Sequence, residues 1–294
     1  MGWEAFSEER VQLISQYIDS CLDRFEQSIS KQLRPMVEAM RYSIQGGGKR
    51  LRPMLMVTVA EYLGLPAKRV LPAACALEYI HTYSLIHDDL PALDDDDTRR
   101  GKPSNHKKFG EAVAILAGDA LLTEAFTTML DLRDNEFTAE QVLNCVATLS
   151  CYSGVRGMVG GQFLDVTKGA ELIDSLPELE FIHIHKTGAL ILASVMIPTC
   201  LVETDEETKL NLRRYGKALG LAFQISDDIL DSEANFRYSR GPRKKPKPNY
   251  TQLTAPGEIR DRLNGLIDSA ISCIDEKKGQ TLIDIAEFIR TRKS

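Results

Sequence analysis

The stretch that decides the fold reads Tyr83-Ser84-Leu85-Ile86-His87-Asp88-Asp89-Leu90-Pro91-Ala92-Leu93-Asp94-Asp95-Asp96-Asp97. The apolar pattern ahead of Asp88 recurs at three- and four-residue spacing, which predicts a helix that delivers the carboxylates. Pro91 cannot continue that helix, because it lacks an N–H and clashes with the preceding turn. The residues after it are expected to bring Asp94 back towards Asp88. A second stretch repeats the chemistry: Leu221-Ala222-Phe223-Gln224-Ile225-Ser226-Asp227-Asp228-Ile229-Leu230-Asp231. Asp227 and Asp231 are four apart and share a helix face. Carboxylates this close repel, and burying them unpaired is costly. A divalent cation relieves both problems. Mg²⁺ fits best, because it takes a few carboxylate oxygens, keeps water and completes its shell with substrate phosphates. A lone acidic run is ordinarily a solvated loop. Two runs of matching chemistry, each continuing an apolar helical pattern, point to metal instead.

Outward from these motifs the chain is helical. Apolar residues at helical spacing cover 7–29, 33–45, 53–63, 67–90, 111–131, 138–153, 178–201, 205–231 and 257–291. Thr138 and Thr204 stand where N-terminal caps are expected, and Gly46-Gly47-Gly48 and Gly64 where helices end. Nothing resembles an interdomain linker, so one all-α domain over 1–294 is expected. Residues 232–256 stand apart. They include Arg240-Gly241-Pro242-Arg243-Lys244-Lys245-Pro246-Lys247-Pro248, which predicts a mobile basic loop able to close on phosphate.

The 294 residues are 43% hydrophobic and 27% charged, a soluble globular composition. No apolar run is expected to reach membrane-spanning length, since charges, His and Pro interrupt each one. The start has no signal-peptide layout, so a cytoplasmic protein without a stable membrane anchor is expected. A net charge of −6 argues against nucleic acid as the main partner. The six cysteines lack metal-site spacing and read as reduced and structural.

Cations cluster beside glycine and aspartate. Gly46-Gly47-Gly48-Lys49-Arg50-Leu51-Arg52-Pro53 lets backbone approach a ligand while Lys49 and Arg52 offer charge-assisted bonds to a diphosphate. It lacks the spacing of a P-loop. Thr98-Arg99-Arg100-Gly101 follows the acidic run directly: its arginines could simply neutralise the aspartates or could clamp the same diphosphate, and the adjacency favours the clamp. Gln162 and Asp165 share a helix face. Lys186-Thr187-Gly188 is a polar trio in an apolar helix, and Gln224 lies three residues before Asp227. These polar groups are either a satisfied core network or the lining of a reaction cavity.

Taken together, these motifs resemble the trans-isoprenyl diphosphate synthases. The similarity runs from about residue 40 to 231, adding Ala117-Gly118-Asp119-Ala120-Leu121-Leu122 and His185-Lys186-Thr187-Gly188 in family order. The spacer Leu90-Pro91-Ala92-Leu93 is similar to that of bacterial farnesyl and plant-type geranylgeranyl diphosphate synthases. The resemblance implies a helical bundle of the isoprenoid synthase type, a central active-site cavity and a homodimer. It also implies a Mg²⁺-dependent transferase of isoprenoid biosynthesis, with three Mg²⁺ ions bridging aspartates and an allylic diphosphate. Isopentenyl diphosphate would condense head-to-tail with dimethylallyl and geranyl diphosphate.

By matching position, Asp88, Asp94 and Asp227 resemble direct metal ligands, with Asp89, Asp228, Asp231 and Asp165 near them and Gln162 in support. Lys186, Thr187 and Gln224 would steady the allylic cation and its leaving group. Arg99 resembles an allylic-diphosphate ligand, and Lys49, Arg52, His81 and Arg100 the isopentenyl-diphosphate site. Lys247 aligns with a phosphate-binding lysine, but the chain departs from the family between 232 and 250, where a further lysine has no clear counterpart. Tyr83 and Ser84 lie about 6–7.5 Å below Asp88 along the helix. Tyrosine there would floor the cavity, which implies a C15 product, farnesyl diphosphate. The alternatives are a C20 synthase and a catalytically silent partner subunit. A terpene cyclase needs no second diphosphate site and fits poorly.

Overall fold

A computed structural model describes residues 3–168, 173, 175–238 and 249–292. Helices dominate: α1 (Trp3–Ser28), α2 (Arg34–Ile44), α3 (Leu51–Tyr62) and α4 (Leu71–Asp88), then a hairpin of β1 (Thr98–Arg99) and β2 (Lys102–Pro103). There follow α5 (Asn105–Phe109), α6 (Glu111–Leu130), α7 (Ala139–Ser153), α8 (Met158–Lys168) and α9 (Leu176–His183). A π-helical turn, Ile184–Gly188, leads into α10 (Ala189–Met196). The rest is α11 (Glu206–Tyr238), α12 (Tyr250–Leu253), α13 (Pro256–Ile271) and α14 (Gln280–Thr291). The all-α expectation holds, with the antiparallel hairpin the only sheet among the described residues. Contacts group the chain into two compact units, Met1–Val57 with Leu65–Val146, and Thr58–Gly64 with Ala147–Ser294.

In the first unit α4 packs along α6, with α1 and α2 against them. Ile14, Ile18 and Leu22 of α1 are buried at four-residue intervals, as are Met40 and Ile44 of α2. Each such side chain stabilises the unit by roughly 1.5–3 kcal/mol. Helix α4 is buried nearly all round from Leu71 to Ile80, so it is a core helix that ends in carboxylates. Close approach to α6 is set at Gly118, where a Cβ would overlap the His87 ring.

In the second unit α11 packs against α13, α10 and the π turn. Gly188 and Gly220 let the π turn and α11 touch backbone to backbone, since a Cβ on Gly220 would lie 2.9 Å from Gly188 Cα. Tyr215, fully buried, donates to Leu282 O at 2.8 Å and fastens α14 to α11.

Thr138 does cap α7, in a reciprocal box: Gln141 N–H donates to Thr138 Oγ1 at 3.2 Å and Thr138 N–H to Gln141 Oε1 at 2.9 Å. Four expectations need correction. The cap of α11 is Asp205, whose Oδ1 accepts from Thr208 N at 2.8 Å, and not Thr204. The helix expected over 257–291 is two, α13 and α14. The loop expected from 232 begins later: α11 continues to Tyr238, because Ser232 to Tyr238 contains no Pro or Gly to stop it. Tyr250–Leu253 is helical as well, while the basic core of that loop, 239–248, lies outside the described residues. Finally, Glu111–Asn135 and Leu176–Cys200 are long and apolar enough to cross a membrane. The second is 72% buried, as a core helix is, whereas the first is only 39% buried.

Candidate active site

Helix α4 ends at Asp88, and the chain then folds back as the Pro91 break predicts. Asp94 N–H donates to Asp88 O at 2.8 Å, and Asp95 and Asp96 N–H to Leu90 O and Asp89 O at 3.1 and 3.2 Å. Five aspartates are thereby gathered around one tight turn, with Asp95 in the left-handed region at φ 56°. Asp89 is 2% exposed and is clasped by Arg99, whose Nε lies 2.8 and 2.9 Å from its two oxygens and whose Nη2 lies 2.5 Å from Oδ1. Burial pushes the Asp89 carboxyl up from its ordinary pKa, and Arg99 opposes that. So Arg99, expected at a diphosphate, sits between Asp89 and Asp96, the latter 3.7 Å away. Its ion pair supplies the charge that a buried carboxylate needs.

Of the residues expected at a diphosphate in the first unit, Lys49 stands on the loop after α2, Arg52 in the first turn of α3, His81 on α4 and Arg100 in the hairpin. Arg52 Nη1 meets His81 Nε2 at 3.2 Å. Burial, then Arg52 and Arg100, hold the His81 pKa well below its ordinary value, so the ring is neutral at pH 7. Arg100 donates to Gly47 O, and any Cβ at Gly48 would strike its guanidinium. With φ at 128°, Gly48 is a position only glycine fills. Lys49 is exposed on the same loop. The loop itself is pinned by Arg50, a residue the sequence reading passed over. Arg50 is buried, pairs with Glu78 of α4 and donates to Ile44 O.

In the second unit the polar residues form one chain of bonds. Thr187 Oγ1 donates to Gln224 Oε1 at 2.9 Å, and Gln224 Nε2 donates to Asp228 Oδ1 at 3.0 Å. Tyr250 N–H donates to Asp228 Oδ2 at 2.9 Å. Both oxygens of Asp228 are therefore held, and burial pushes its pKa up to about 6. Asp227, half-exposed on the same helix, faces Arg292 at 2.7 Å, and Asp231 lies one turn further on. Lys186 Nζ lies 2.5 Å from Asp165 Oδ2. The π turn carries Lys186 and Thr187, and Gly161 of α8 makes room for it, since a Cβ there would lie 2.1 Å from Lys186 N. π-Bulges of this kind are frequent at functional sites, and one inserted residue re-aims the side chains.

His183 precedes that turn, 7% exposed, with Nδ1 unpartnered and its ring 5.8 Å from that of Tyr250. Burial lowers its pKa from 6.5 to about 4. The unfolded chain therefore binds this proton first, so stability is present above pH 6.5 and is lost as pH falls towards 4. The loss approaches about 3 kcal/mol. Urea unfolding of wild type against His183→Asn at pH 7 and pH 4.5 should show the wild type losing more between the two. Equal losses would contradict it.

Two further observations bear on ligands. The carboxylates of Asp95 and Asp97 and a ring nitrogen of His106 lie within 4.8 Å of one another, a donor set able to hold a divalent cation. His106 lay outside the sequence reading, since a lone histidine eleven residues from Asp95 carries no local pattern. Both amide atoms of Gln162 are buried without a hydrogen-bond partner, which native interiors rarely tolerate without water or a ligand nearby. Hard carboxylate oxygens are the donors that Mg²⁺ prefers. Lys247 lies outside the described residues.

A helical fold carrying two aspartate motifs on helix ends and faces, with diphosphate-suited cations, defines a prenyl-transferring enzyme. Comparison with known proteins agrees. The Polyprenyl synthetase family model matches residues 34–239. A farnesyl diphosphate synthase of Geobacillus stearothermophilus is 44% identical over 295 residues, covering 98% of this chain and 97% of that one. A chloroplastic geranylgeranyl pyrophosphate synthase of Capsicum annuum is 40% identical over 282 residues, covering 94% and 76%. The crystal structure of a geranyltransferase from Legionella pneumophila superposes with a TM-score of 0.84 at 33% identity, covering 97% and 98%. The chain belongs to the polyprenyl synthetase family and is a prenyltransferase.

Proposed function

We propose that this prenyltransferase condenses isopentenyl diphosphate with dimethylallyl and then geranyl diphosphate and releases farnesyl diphosphate. The observation that carries the C15 product is Tyr83. It is 6% exposed, five residues before Asp88 on α4, with its ring edge-on to His87 at 5.7 Å. A buried aromatic ring at that depth would act as the floor that stops a longer tail. The farnesyl diphosphate synthase relative, matched end to end, supports the same product.

In the first unit Asp88 and Asp94 would hold Mg²⁺ with Asp89 in support, and in the second Asp227 would hold it with Asp165, Asp228 and Asp231 in support. When bound, Mg²⁺ supplies the positive charge that neutralises the leaving diphosphate. The chain's own groups do the rest. Arg99 and Lys247 would bind the allylic diphosphate, and Lys49, Arg52, His81 and Arg100 the diphosphate of isopentenyl diphosphate. The allylic C–O bond breaks with its electron pair leaving on the diphosphate. The Thr187 hydroxyl, the Gln224 amide and Lys186 would then steady the allylic cation and its leaving group, a reading supported by the Thr187–Gln224 and Lys186–Asp165 bonds that order them. The double bond of isopentenyl diphosphate attacks, and a proton passes to the released diphosphate. A dry cavity prevents capture of the cation by water.

The family model spans residues of both units, which supports one polyprenyl synthase domain over 1–294. A homodimer is supported by exposed apolar residues on α6, Ile115, Leu116 and Leu130, and by Leu143 on α7. Six free cysteines, three of them buried, suit a reducing cytoplasm. The test is product analysis with Mg²⁺, labelled isopentenyl diphosphate and dimethylallyl diphosphate. A dominant C15 diphosphate supports the reading. A C20 or longer product keeps the chemistry and overturns the product. No condensation by folded protein points to a silent partner subunit.

A further inference from the structure

Arg292 follows the last turn of α14, and its side chain is 4% exposed. A buried guanidinium must have its donors satisfied, and here Nε and Nη2 both point at one segment of α11. Nε donates to Ser226 Oγ at 2.8 Å, and Nη2 to Phe223 O at 2.7 Å. The guanidinium carbon lies 4.1 Å from the centre of the Phe223 ring. The same Nη2 is 2.7 Å from Asp227 Oδ1. Ser226 in turn donates to Ile289 O at 3.1 Å, tying α11 back to α14. The cation is thus fixed by contacts other than Asp227, and the carboxylate is the exposed partner, 41% accessible.

We infer that Arg292 is a positioning residue for the reaction: it locks one oxygen of Asp227, so that the carboxylate presents a single fixed orientation to the incoming cation. This rests on the reading of Asp227 as a metal ligand. An unclamped carboxylate on an exposed helix face would sample several rotamers, and fixing the donor in advance removes that cost from cation binding. Gln224 and Tyr250 fix the other carboxylate of the pair, Asp228, in the same way, through neutral donors. Asp227 differs in being held by a charge that cannot be titrated away near neutral pH.

The test is a double-mutant cycle with Arg292→Gln and Asp227→Asn, read by the Mg²⁺ concentration for half-maximal product formation and by kcat, with thermal unfolding followed in parallel. Arg292→Gln should raise the half-saturating Mg²⁺ about 3- to 10-fold and lower kcat about tenfold, leaving KM for isopentenyl diphosphate unchanged. Arg292→Lys should recover part of the loss, because an ammonium reaches Asp227 without the planar fork. In the double variant the loss should be no larger than in Asp227→Asn alone. Additive losses, or a fall in thermal stability with unchanged Mg²⁺ dependence, would overturn the inference and leave Arg292 a packing residue. Wild-type Mg²⁺ dependence in Asp227→Asn would instead overturn the metal-ligand reading beneath it.

Discussion

Asp94→Asn should lower turnover about 10³-fold while the protein stays folded. The substitution keeps the shape of the side chain and removes its charge. It leaves the backbone bond from Asp94 N–H to Asp88 O, so the turn that gathers the aspartates persists. On the proposed reading, one anionic donor to Mg²⁺ would be lost and, through it, charge compensation at the leaving diphosphate. The loss should appear in kcat and in the Mg²⁺ needed for half-saturation, while KM for isopentenyl diphosphate changes little. That substrate's binding is assigned to Lys49, Arg52, His81 and Arg100, which the variant leaves intact. A Mg²⁺ titration of product formation, with thermal unfolding as the check on folding, decides it. Near-wild-type turnover at ordinary Mg²⁺ would remove Asp94 from the metal site.

Tyr83→Ala should shift the product from C15 to C20 and longer. The ring is buried on α4, on the same face as His87, whose imidazole rests against Gly118 of α6 and lies 3.0 Å from Ile115 O. Deleting a buried aromatic of this size costs about 3–5 kcal/mol of stability and opens a cavity where the ring stood. The first effect is a reason to add Tyr83→Leu, which fills much of the volume and should move the product distribution less. Chromatography of the dephosphorylated products reads both. An unchanged C15 product from a folded Tyr83→Ala enzyme would end the floor hypothesis. The two variants separate from Asp94→Asn cleanly, since they alter chain length and leave the charge at the site alone.

Much of this was legible in the residues. The helix leading to Asp88 and its break at Pro91 follow from local rules of spacing and ring closure. The capping box at Thr138 does too. The second aspartate motif is on one continuous helix, as its four-residue spacing requires. The misreadings are equally local in cause. Residues 232–238 read as loop because Pro242 and its basic neighbours follow, although no breaker stands among the seven residues themselves. Glu111–Asn135 and Leu176–Cys200 reach membrane-spanning length although charges and Pro interrupt them, and only the fold shows the second to be 72% buried.

The sequence by itself determined the helices, the turn that folds Asp94 onto Asp88, and the inventory of carboxylates and cations, because these depend on residues within a few positions of one another. Only the tertiary structure decided which cation meets which carboxylate. Arg99 closes on Asp89, Lys186 on Asp165 through a π turn that no spacing rule announces, and Arg292 on Asp227 from a helix whose own pattern says nothing of metal. Ion pairs carry no periodicity. They form between residues tens of positions apart when helix packing brings buried charges within reach, and the cost of leaving such a charge unpaired then selects the partner.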